Sequence, residues 1–564
     1  MSFLAATASF ELPTNPDLAF TISAKTFRMR SGTALLALLV VTVLFPTAQA
    51  QHEHAELTEQ QVGTVHFPIS CDLRVQKTFE RGVALLHSFA FESAEAVFRQ
   101  VAKEDPRCAM AHWGIAMTFN RWAGPDDKQR EQGWNEIKIA KSLHAKTARE
   151  RGYIAAEEAI YTHPRKNDNK RGEKYLKRMA KLYRDYPDDH EAAAFYALAL
   201  EWSDRDDDPI HAFRKQAAAI LEKLFIIEPD HPGVAHYLIH TYDVPGMAEL
   251  GLPAARRYAQ IAPAAPHALH MPSHIFARLG MWQEDIDSNL ASIAASRNAA
   301  VTHMGDEGHQ YHAMEFLVYA YLQSGQEDEA KRVIEGVKTL PKMNNMYGAD
   351  FDPQISAEVE YSASYVTELH SWKEAVALPV LTDNGDGDSS LTYKARAIGA
   401  ARSGDLQTAR ENLELIKSLH EKLLEKKQVI AAGAVDDDSH VVTAWIDHAE
   451  GKNEEALKLL QNIAGKDGGL FATDGNVPAH EMMGDMLLEM NRPEQALAEY
   501  EAELKVSPNR FNSVYGAGRA AETAKQGDQA AGYYRQLLAA CNKGTSARPE
   551  LAHAREYVSS MASR

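Results

Sequence analysis

The sequence predicts an all-α fold, a right-handed α-solenoid built from successive helix-turn-helix units. Three observations support this class. Small, aromatic and proline residues recur with a period of 34 residues, strand-like alternation of apolar and polar residues is nearly absent, and 564 residues exceed one ordinary compact domain. A chain with such a period forms a stack of similar units, and each unit buries its apolar surface against its neighbours.

The clearest repeat begins at Val477. Gly484, Ala496, Tyr500 and Pro508 fall at positions 8, 20, 24 and 32 of this unit. Small residues at positions 8 and 20 allow two antiparallel helices to cross closely, and the aromatic ring fills the gap to the next unit. The proline ends the second helix because it cannot continue the hydrogen-bond ladder.

The same register recurs near the start of the array, where Gly82, Ala94, Phe98 and Pro106 occupy the corresponding positions. The pattern resembles the tetratricopeptide repeat family, with about ten units over residues 75–540. The whole sequence also resembles exported bacterial repeat proteins of unassigned function. The family resemblance implies a concave groove that is lined by the first helix of each repeat.

We expect five segments along the chain. They are an N-terminal extension with a signal peptide (1–50), a short N-terminal segment (51–74), a first array with a histidine-rich groove (75–350), a second array (351–540) and a C-terminal helical tail (541–564). Polar or glycine-rich stretches at 203–209, 382–390 and 431–439 are predicted to be loops. The acids at 383–388 lack the spacing of a calcium-binding loop, so we interpret them as a solvated turn.

The first fifty residues have the layout of a secretory signal. Met29 and Arg30 precede an apolar run from Ala34 to Phe45, and Ala48-Gln49-Ala50 resembles a cleavage site. We expect translation to start at Met29, with cleavage near Ala50. This predicts an exported protein, periplasmic or extracellular, with no integral membrane segment after signal removal. The alternative is an uncleaved membrane anchor.

Charge and cysteine content narrow the expected partners. The formal net charge of −18 disfavours nucleic acid and favours a protein or peptide partner or a small cationic ligand. Of the three cysteines, Cys71 and Cys108 are candidates for a disulfide in an oxidising compartment, and two buried free thiols are the alternative. Cys541 is then left unpaired.

Histidines concentrate in one part of the chain, because nine of the 24 lie between His231 and His312. Repeat starts at Pro232 and Pro266 place two pairs of histidines at the same positions, 5 and 9, of consecutive units. The two pairs are His236 with His240, and His270 with His274. Residues four apart share one face of a helix, so both pairs are expected on equivalent faces.

The family resemblance implies that this face lines the groove, together with further polar and aromatic residues of the same helices. These are Asp243, His267, His312, Glu315, Tyr237 and Phe276. Pro272 interrupts the helix that carries the second histidine pair, so the equivalence of His270 with His236 is only approximate. Such breaks of local consistency are typical of functional sites.

The cluster is a candidate site for a divalent transition metal, because imidazole suits zinc, copper and iron. His236, His240, His270 and His274 are the expected core ligands, with Asp243 or Glu315 supplementing or orienting them. The alternatives are a metal-dependent hydrolase or oxidoreductase centred on this cluster, histidines that only hydrogen-bond each other and the acids, histidines that contact a peptide, and a purely structural platform. No signature of a known enzyme class appears, so the sequence favours binding over catalysis.

Overall fold

The computed structural model describes residues 57–121, 125–161, 168–204, 208, 210–302, 308–341, 352–381, 386–464, 476–544 and 546–563. These residues form helices and turns, and no strand occurs among them. The predicted fold class, an all-α solenoid of tetratricopeptide-like helix pairs, is confirmed. The proposed signal segment and the boundary near residue 350 lie outside the described residues.

The described residues before 303 form fourteen α-helices and one short 3-10 turn at Leu73–Val75. The α-helices are α1 (Glu59–Val62), α2 (Gln76–His87), α3 (Phe91–Glu104), α4 (Ala109–Phe119), α5 (Asp127–Ser142), α6 (Ala148–Tyr161), α7 (Asp168–Asp185), α8 (His190–Glu201), α9 (Ala212–Ile227), α10 (Pro232–Tyr242), α11 (Ala248–Ile261), α12 (Pro266–His270), α13 (Pro272–Arg278) and α14 (Trp282–Thr302).

The helices continue in the second half of the described chain. They are α15 (His309–Gln323), α16 (Glu327–Val337), α17 (Pro353–Glu368), α18 (Trp372–Val376), α19 (Asp386–Arg402), α20 (Leu406–Glu425), α21 (Val429–Ala449), α22 (Asn453–Ala464), α23 (Ala479–Glu489), α24 (Pro493–Val506), α25 (Phe511–Thr523), α26 (Gly527–Ala540) and α27 (Pro549–Ala562). Among the described residues, none of these helices has the length and hydrophobicity needed to span a bilayer.

Aromatic residues at position 24 join successive repeats, as the repeat pattern predicts. The Phe98 ring lies between two glycines: a Cβ on Gly82 would come within 2.8 Å of it, and a Cβ on Gly114 of the next unit within 2.5 Å. Tyr500 has the same place in a later repeat, 2.6 Å from the Cβ that Gly484 lacks. The absence of a side chain at these glycines therefore permits the close stacking of the helices.

The first helices of several repeats are buried on nearly every side. Every residue of α10 is buried, and all but one residue of α4 and of α8. A helix that is apolar all round packs inside a protein and does not face solvent. The expected groove aromatics Tyr237 and Phe276 are accordingly 1% and 7% exposed, so they lie in the interior and do not line an open groove.

This burial arises because the first part of the array turns back on itself, and α10 packs against α2. The Tyr237 hydroxyl lies 2.8 Å from His87 Nδ1, and the Tyr258 hydroxyl donates to Ser88 Oγ over 3.1 Å. Both contacts join residues at least 150 positions apart in the sequence. The inner surface of helices α2–α11 is therefore filled by protein.

The second part of the array closes through a buried arginine. Arg510, at the start of α25, is fully buried and pairs with Glu368 at 2.6 Å and with Glu481 at 2.8 Å. It also donates to the Tyr319 hydroxyl over 3.1 Å. These partners belong to α17, α23 and α15, so one guanidinium joins four helices that are distant in the sequence.

One predicted loop is a helix. Residues 431–439 lie inside α21, although glycine and three successive aspartates suggest a loop. Ala432, Val435 and Val442 are buried at helical spacing, and Asp438 forms a 2.8 Å ion pair with Lys394 of α19. Tertiary packing thus overrides the local composition. Residues 386–390 of the loop predicted at 382–390 are also helical.

The stacking glycines can be tested with a matched pair of variants. We expect Gly114→Ala to lower the free energy of unfolding by about 1–3 kcal/mol, because its Cβ would overlap the Phe98 ring. Gly433→Ala, also within a helix but with open space around it, should raise stability by about 0.5–1 kcal/mol. Urea unfolding followed by circular dichroism measures both. Shifts in the same direction would contradict the stacking role.

The buried arginine gives a second prediction. Arg510→Met should destabilise the protein by about 3–5 kcal/mol, because Glu368 and Glu481 would remain buried without their cation. The control is Arg74→Met, which removes a solvent-exposed pair with Asp72 and should leave the unfolding midpoint unchanged. Equal midpoints for the two variants would show that the Arg510 network does not hold these helices together.

Candidate metal centre

Six histidines of the predicted cluster form two groups of three. The first triad contains His236, His240 and His267, and the second triad contains His270, His274 and His312. Within each triad, one nitrogen from every ring lies within 4.8 Å of the other two. The structure therefore places His267 and His312, which the sequence assigned to the groove lining, beside the four histidines that were expected as core ligands.

Three consecutive repeats supply these side chains. Helices α10 and α12 begin at Pro232 and Pro266, the residues at which the repeats were predicted to start. Met271 separates α12 from α13, yet its backbone stays helical, with φ −52° and ψ −34°. His270 and His274 consequently remain one helical turn apart despite the proline at position 272.

In the first triad, two nitrogens converge on His236. His236 Nε2 lies 3.0 Å from His240 Nε2 and 3.0 Å from His267 Nε2. The Nδ1 atom of His236 donates to the backbone carbonyl of His87 over 2.6 Å. Because a carbonyl only accepts hydrogen bonds, Nδ1 carries the hydrogen and Nε2 of this neutral ring carries a lone pair.

In the second triad, both outer nitrogens are used as donors. His274 Nδ1 donates to Asp243 Oδ2 over 2.8 Å, and His270 Nδ1 donates to Asn289 Oδ1 over 2.7 Å. The orientation of the Asn289 amide follows from its nitrogen, which donates to Asp285. The two Nε2 atoms lie 3.0 Å apart, and with hydrogens on both Nδ1 atoms each neutral ring carries its lone pair at Nε2.

The two acidic candidates lie behind the imidazoles. Asp243 accepts from His274 and also pairs with Arg278 Nε at 2.9 Å. Glu315 Oε2 lies 2.9 Å from His312 Nδ1. Both carboxylates therefore hold outer nitrogens, the arrangement that fixes the tautomer and orientation of metal-binding histidines. Of the two roles that the sequence left open, the geometry favours orientation.

Each triad has one phenylalanine ring packed against all three of its imidazoles. The Phe89 ring centroid lies between 4.4 and 5.8 Å from those of the first triad. The Phe316 centroid lies between 4.6 and 5.2 Å from those of the second triad. The sequence did not single out either residue. Phe89 has a left-handed backbone, φ 52°, at a turn where Gly246, Gly325 and other glycines stand in later repeats, and this was an available signal.

Burial keeps these histidines neutral. It lowers the pKa of His236 to about 3, and it lowers the pKa of His240, His267 and His270 well below the usual value. Neutral imidazole is the form that coordinates metal ions. At neutral pH these four rings are therefore already in the form that binds a metal ion.

A third group of buried residues has a carboxylate between its two histidine rings. Glu191 lies between His87 Nε2 at 2.7 Å and His231 Nε2 at 2.9 Å. His87 Nδ1 contacts the Tyr237 hydroxyl, and His231 Nδ1 accepts a hydrogen bond from the backbone of Val234. Every ring nitrogen thus has a hydrogen-bond partner, so this group is a structural network and we do not include it in the metal centre.

The two disulfide candidates are bonded to each other. The Cys71–Cys108 bond joins the segment before α2 to the start of α4. Cys541 is a buried free thiol in the helical C-terminal region. The disulfide therefore ties the N-terminal segment to α4 in the first part of the array.

Comparisons with known proteins give structural likeness only. No protein-family model and no curated protein matches the chain. Solved structures similar to it include the human IFIT1 dimer with m7Gppp-AAAA, at 13% identity and TM-score 0.32, covering 81% of this chain and 94% of that one. Another is a tetratricopeptide repeat protein from Parabacteroides merdae ATCC 43184, at 13% identity and TM-score 0.27, covering 52% and 97%. Likeness at this level carries no argument about function.

The neutral histidines predict acid sensitivity. His309 lies next to His267, and burial lowers its pKa to about 3. The unfolded chain therefore binds a proton first, so the contribution of this residue to stability is complete above about pH 6.5 and is lost as the pH falls toward 3. In metal-free protein, wild type should lose about 1.4 kcal/mol per pH unit more than His309→Gln below pH 6.5. Thermal unfolding between pH 7 and 5 measures this difference, and parallel profiles would contradict it.

Proposed function

We propose that this protein binds first-row transition metal ions, one at each histidine triad, with zinc, copper and iron as the candidates. The observation that supports this most directly is the 3.0 Å approach of the His270 and His274 Nε2 atoms. Their outer nitrogens are engaged as donors, so both Nε2 atoms direct their lone pairs toward the same region. A cation bound there would be coordinated by both nitrogens.

The His87–Glu191–His231 network supports the same interpretation by contrast. There, a carboxylate accepts from both rings and no lone pair is left to face another. Buried polar groups in proteins are normally satisfied in this way. A carboxylate thus lies between the two rings of that group, whereas in the second triad one nitrogen of each of the three rings converges on a common point. That point is where the ion would bind.

A second candidate function is a metal-dependent oxidoreductase or hydrolase at the same site. Each triad offers three imidazole ligands, and three protein ligands with an open position are typical of catalytic metal sites. Structural sites are usually closed by four protein ligands. The ligand count therefore favours ions that remain accessible to a further small ligand.

We also propose where in the solenoid a ligand binds. Tetratricopeptide-type solenoids commonly bind proteins or ligands on a concave surface, but in helices α4, α8 and α10 that face is buried. We therefore propose that a ligand of this region binds at the metal centre and not in an open groove.

The Cys71–Cys108 disulfide and the apolar segment 34–45 support an exported location. The net charge of −18 supports partners other than nucleic acid.

Metal analysis of the purified full chain tests the proposal. After loading with zinc or copper and removal of excess metal, wild type should retain two ions per chain. The double variant His236→Gln/His240→Gln should retain one, and His270→Gln/His274→Gln should also retain one, because each removes two ligands of a single triad. Elemental analysis by mass spectrometry gives the ratio, and circular dichroism checks the helix content.

The control variant is His480→Gln. His480 also lies on a first helix, α23, but it pairs with Glu499 at 2.7 Å far from both triads in the sequence. Its metal content should equal that of wild type. Folded double variants that retain two ions, or a wild type that retains none, would refute the proposed sites.

A further inference from the structure

We infer that the two triads form one paired copper centre that binds dioxygen between its two ions. The inference rests on the proposed function, since it requires both triads to hold metal. It adds the identity of the metal, the pairing of the two sites and the chemical class of their substrate. Three features of the described residues and the charge balance of the reaction with dioxygen support it.

The first feature is the distance between the triads. Ring centroids of His240 and His274 lie 6.3 Å apart, and those of His267 and His270 lie 6.2 Å apart. Within the first triad, His240 and His267 are separated by 6.4 Å. The separations between the triads are therefore close to the widest separation inside the first triad, and the two triads are direct neighbours. Two ions bound at neighbouring triads are expected to share a small bridging ligand.

The second feature is the charge of the ligands. The nitrogens that converge in the triads belong to six imidazoles, and burial keeps most of these rings neutral. Asp243 contacts an outer nitrogen and is already paired with Arg278. Two divalent ions would bring four positive charges into this largely buried pocket, and uncompensated buried charge is strongly unfavourable. Copper bound as a monovalent ion halves that charge, and imidazole is a suitable ligand for it.

The charge balance of the reaction with dioxygen also supports the inference. Each Cu(I) gives one electron, and the O₂ molecule accepts both electrons to become peroxide. Both copper ions become Cu(II), the O–O bond is retained, and no proton is taken up or released. The two new positive charges on copper are balanced by the two negative charges of the bridging peroxide. The net charge of the pocket is therefore unchanged, so the low-dielectric surroundings do not oppose the step.

The third feature is the polarity of the surroundings of the triads. Phe89 and Phe316 are 6% and 1% exposed and pack against opposite triads, so the side chains around the imidazoles are apolar in part. Solvent exposure is greater at the second triad, where the side chains of His274 and His312 are 12% and 24% exposed. Such surroundings favour a small apolar molecule, whereas a large polar substrate would lose its hydration there.

The test uses the full chain, prepared metal-free and loaded with two equivalents of Cu(I) under anaerobic conditions. On exposure to oxygen, we expect uptake of one O₂ per two copper ions and a near-ultraviolet absorption band that the cuprous form lacks. The electron paramagnetic resonance signal should integrate to far fewer spins than the copper content, because a shared ligand couples the two Cu(II) spins.

The variant His270→Gln/His274→Gln supplies the matched control. It should retain a single Cu(I) at the first triad and lack both the paired uptake of oxygen and the near-ultraviolet band. Any Cu(II) that forms in it should give its full spin signal. His480→Gln should behave as wild type in all three measurements. If the double variant does not fold, the spin count of wild type still decides whether the ions are paired.

The outcomes separate the two proposals. Retention of two copper ions that each give a full spin signal after oxidation would overturn the pairing and leave the metal sites in place. Retention of zinc but not copper would overturn the choice of metal and leave the sites in place. Retention of neither metal would refute the proposed function itself, and the inference with it.

Discussion

The hydrogen bond from His236 Nδ1 to the carbonyl of His87 is the contact on which the proposed metal centre depends. It is 2.6 Å long and joins residues 149 positions apart. It forms only because the array of helices α2–α11 turns back so that α10 reaches the end of α2. Two residues beyond His87, Phe89 then covers the first triad. Without this closure the first triad would lack both the group that fixes its central ring and its apolar wall.

The repeat phase could be read from the sequence because it depends on local rules. Proline at the first position of a helix marks helix starts, and α10 and α12 begin at the prolines used for the register. Two histidine pairs at equal positions of adjacent units were therefore expected on neighbouring faces, and the structure brings them together. The distance between those faces could not be predicted, because it is set by the angle at which successive units stack.

The partners of the histidines were harder to predict. His267 and His312 were assigned to a groove, since the sequence does not show which rings from three different helices point toward one centre. Asn289 lies on a second helix, outside the face that the repeat positions describe. The open groove itself was an expectation from the family resemblance. The apolar sequences of α4 and α8, which leave no polar face, were the sign that these helices are enclosed.

At Phe89, the residue that suits the backbone conformation differs from the residue that encloses the site. A bulky residue in the left-handed region raises the energy of the folded chain by on the order of 1–2 kcal/mol, and glycine would relieve it. A glycine at this turn would relieve the backbone strain, but it would remove the Phe89 ring from the imidazoles of His236 and His267. A lower backbone energy therefore favours glycine at position 89, whereas an enclosed centre favours phenylalanine at the same position.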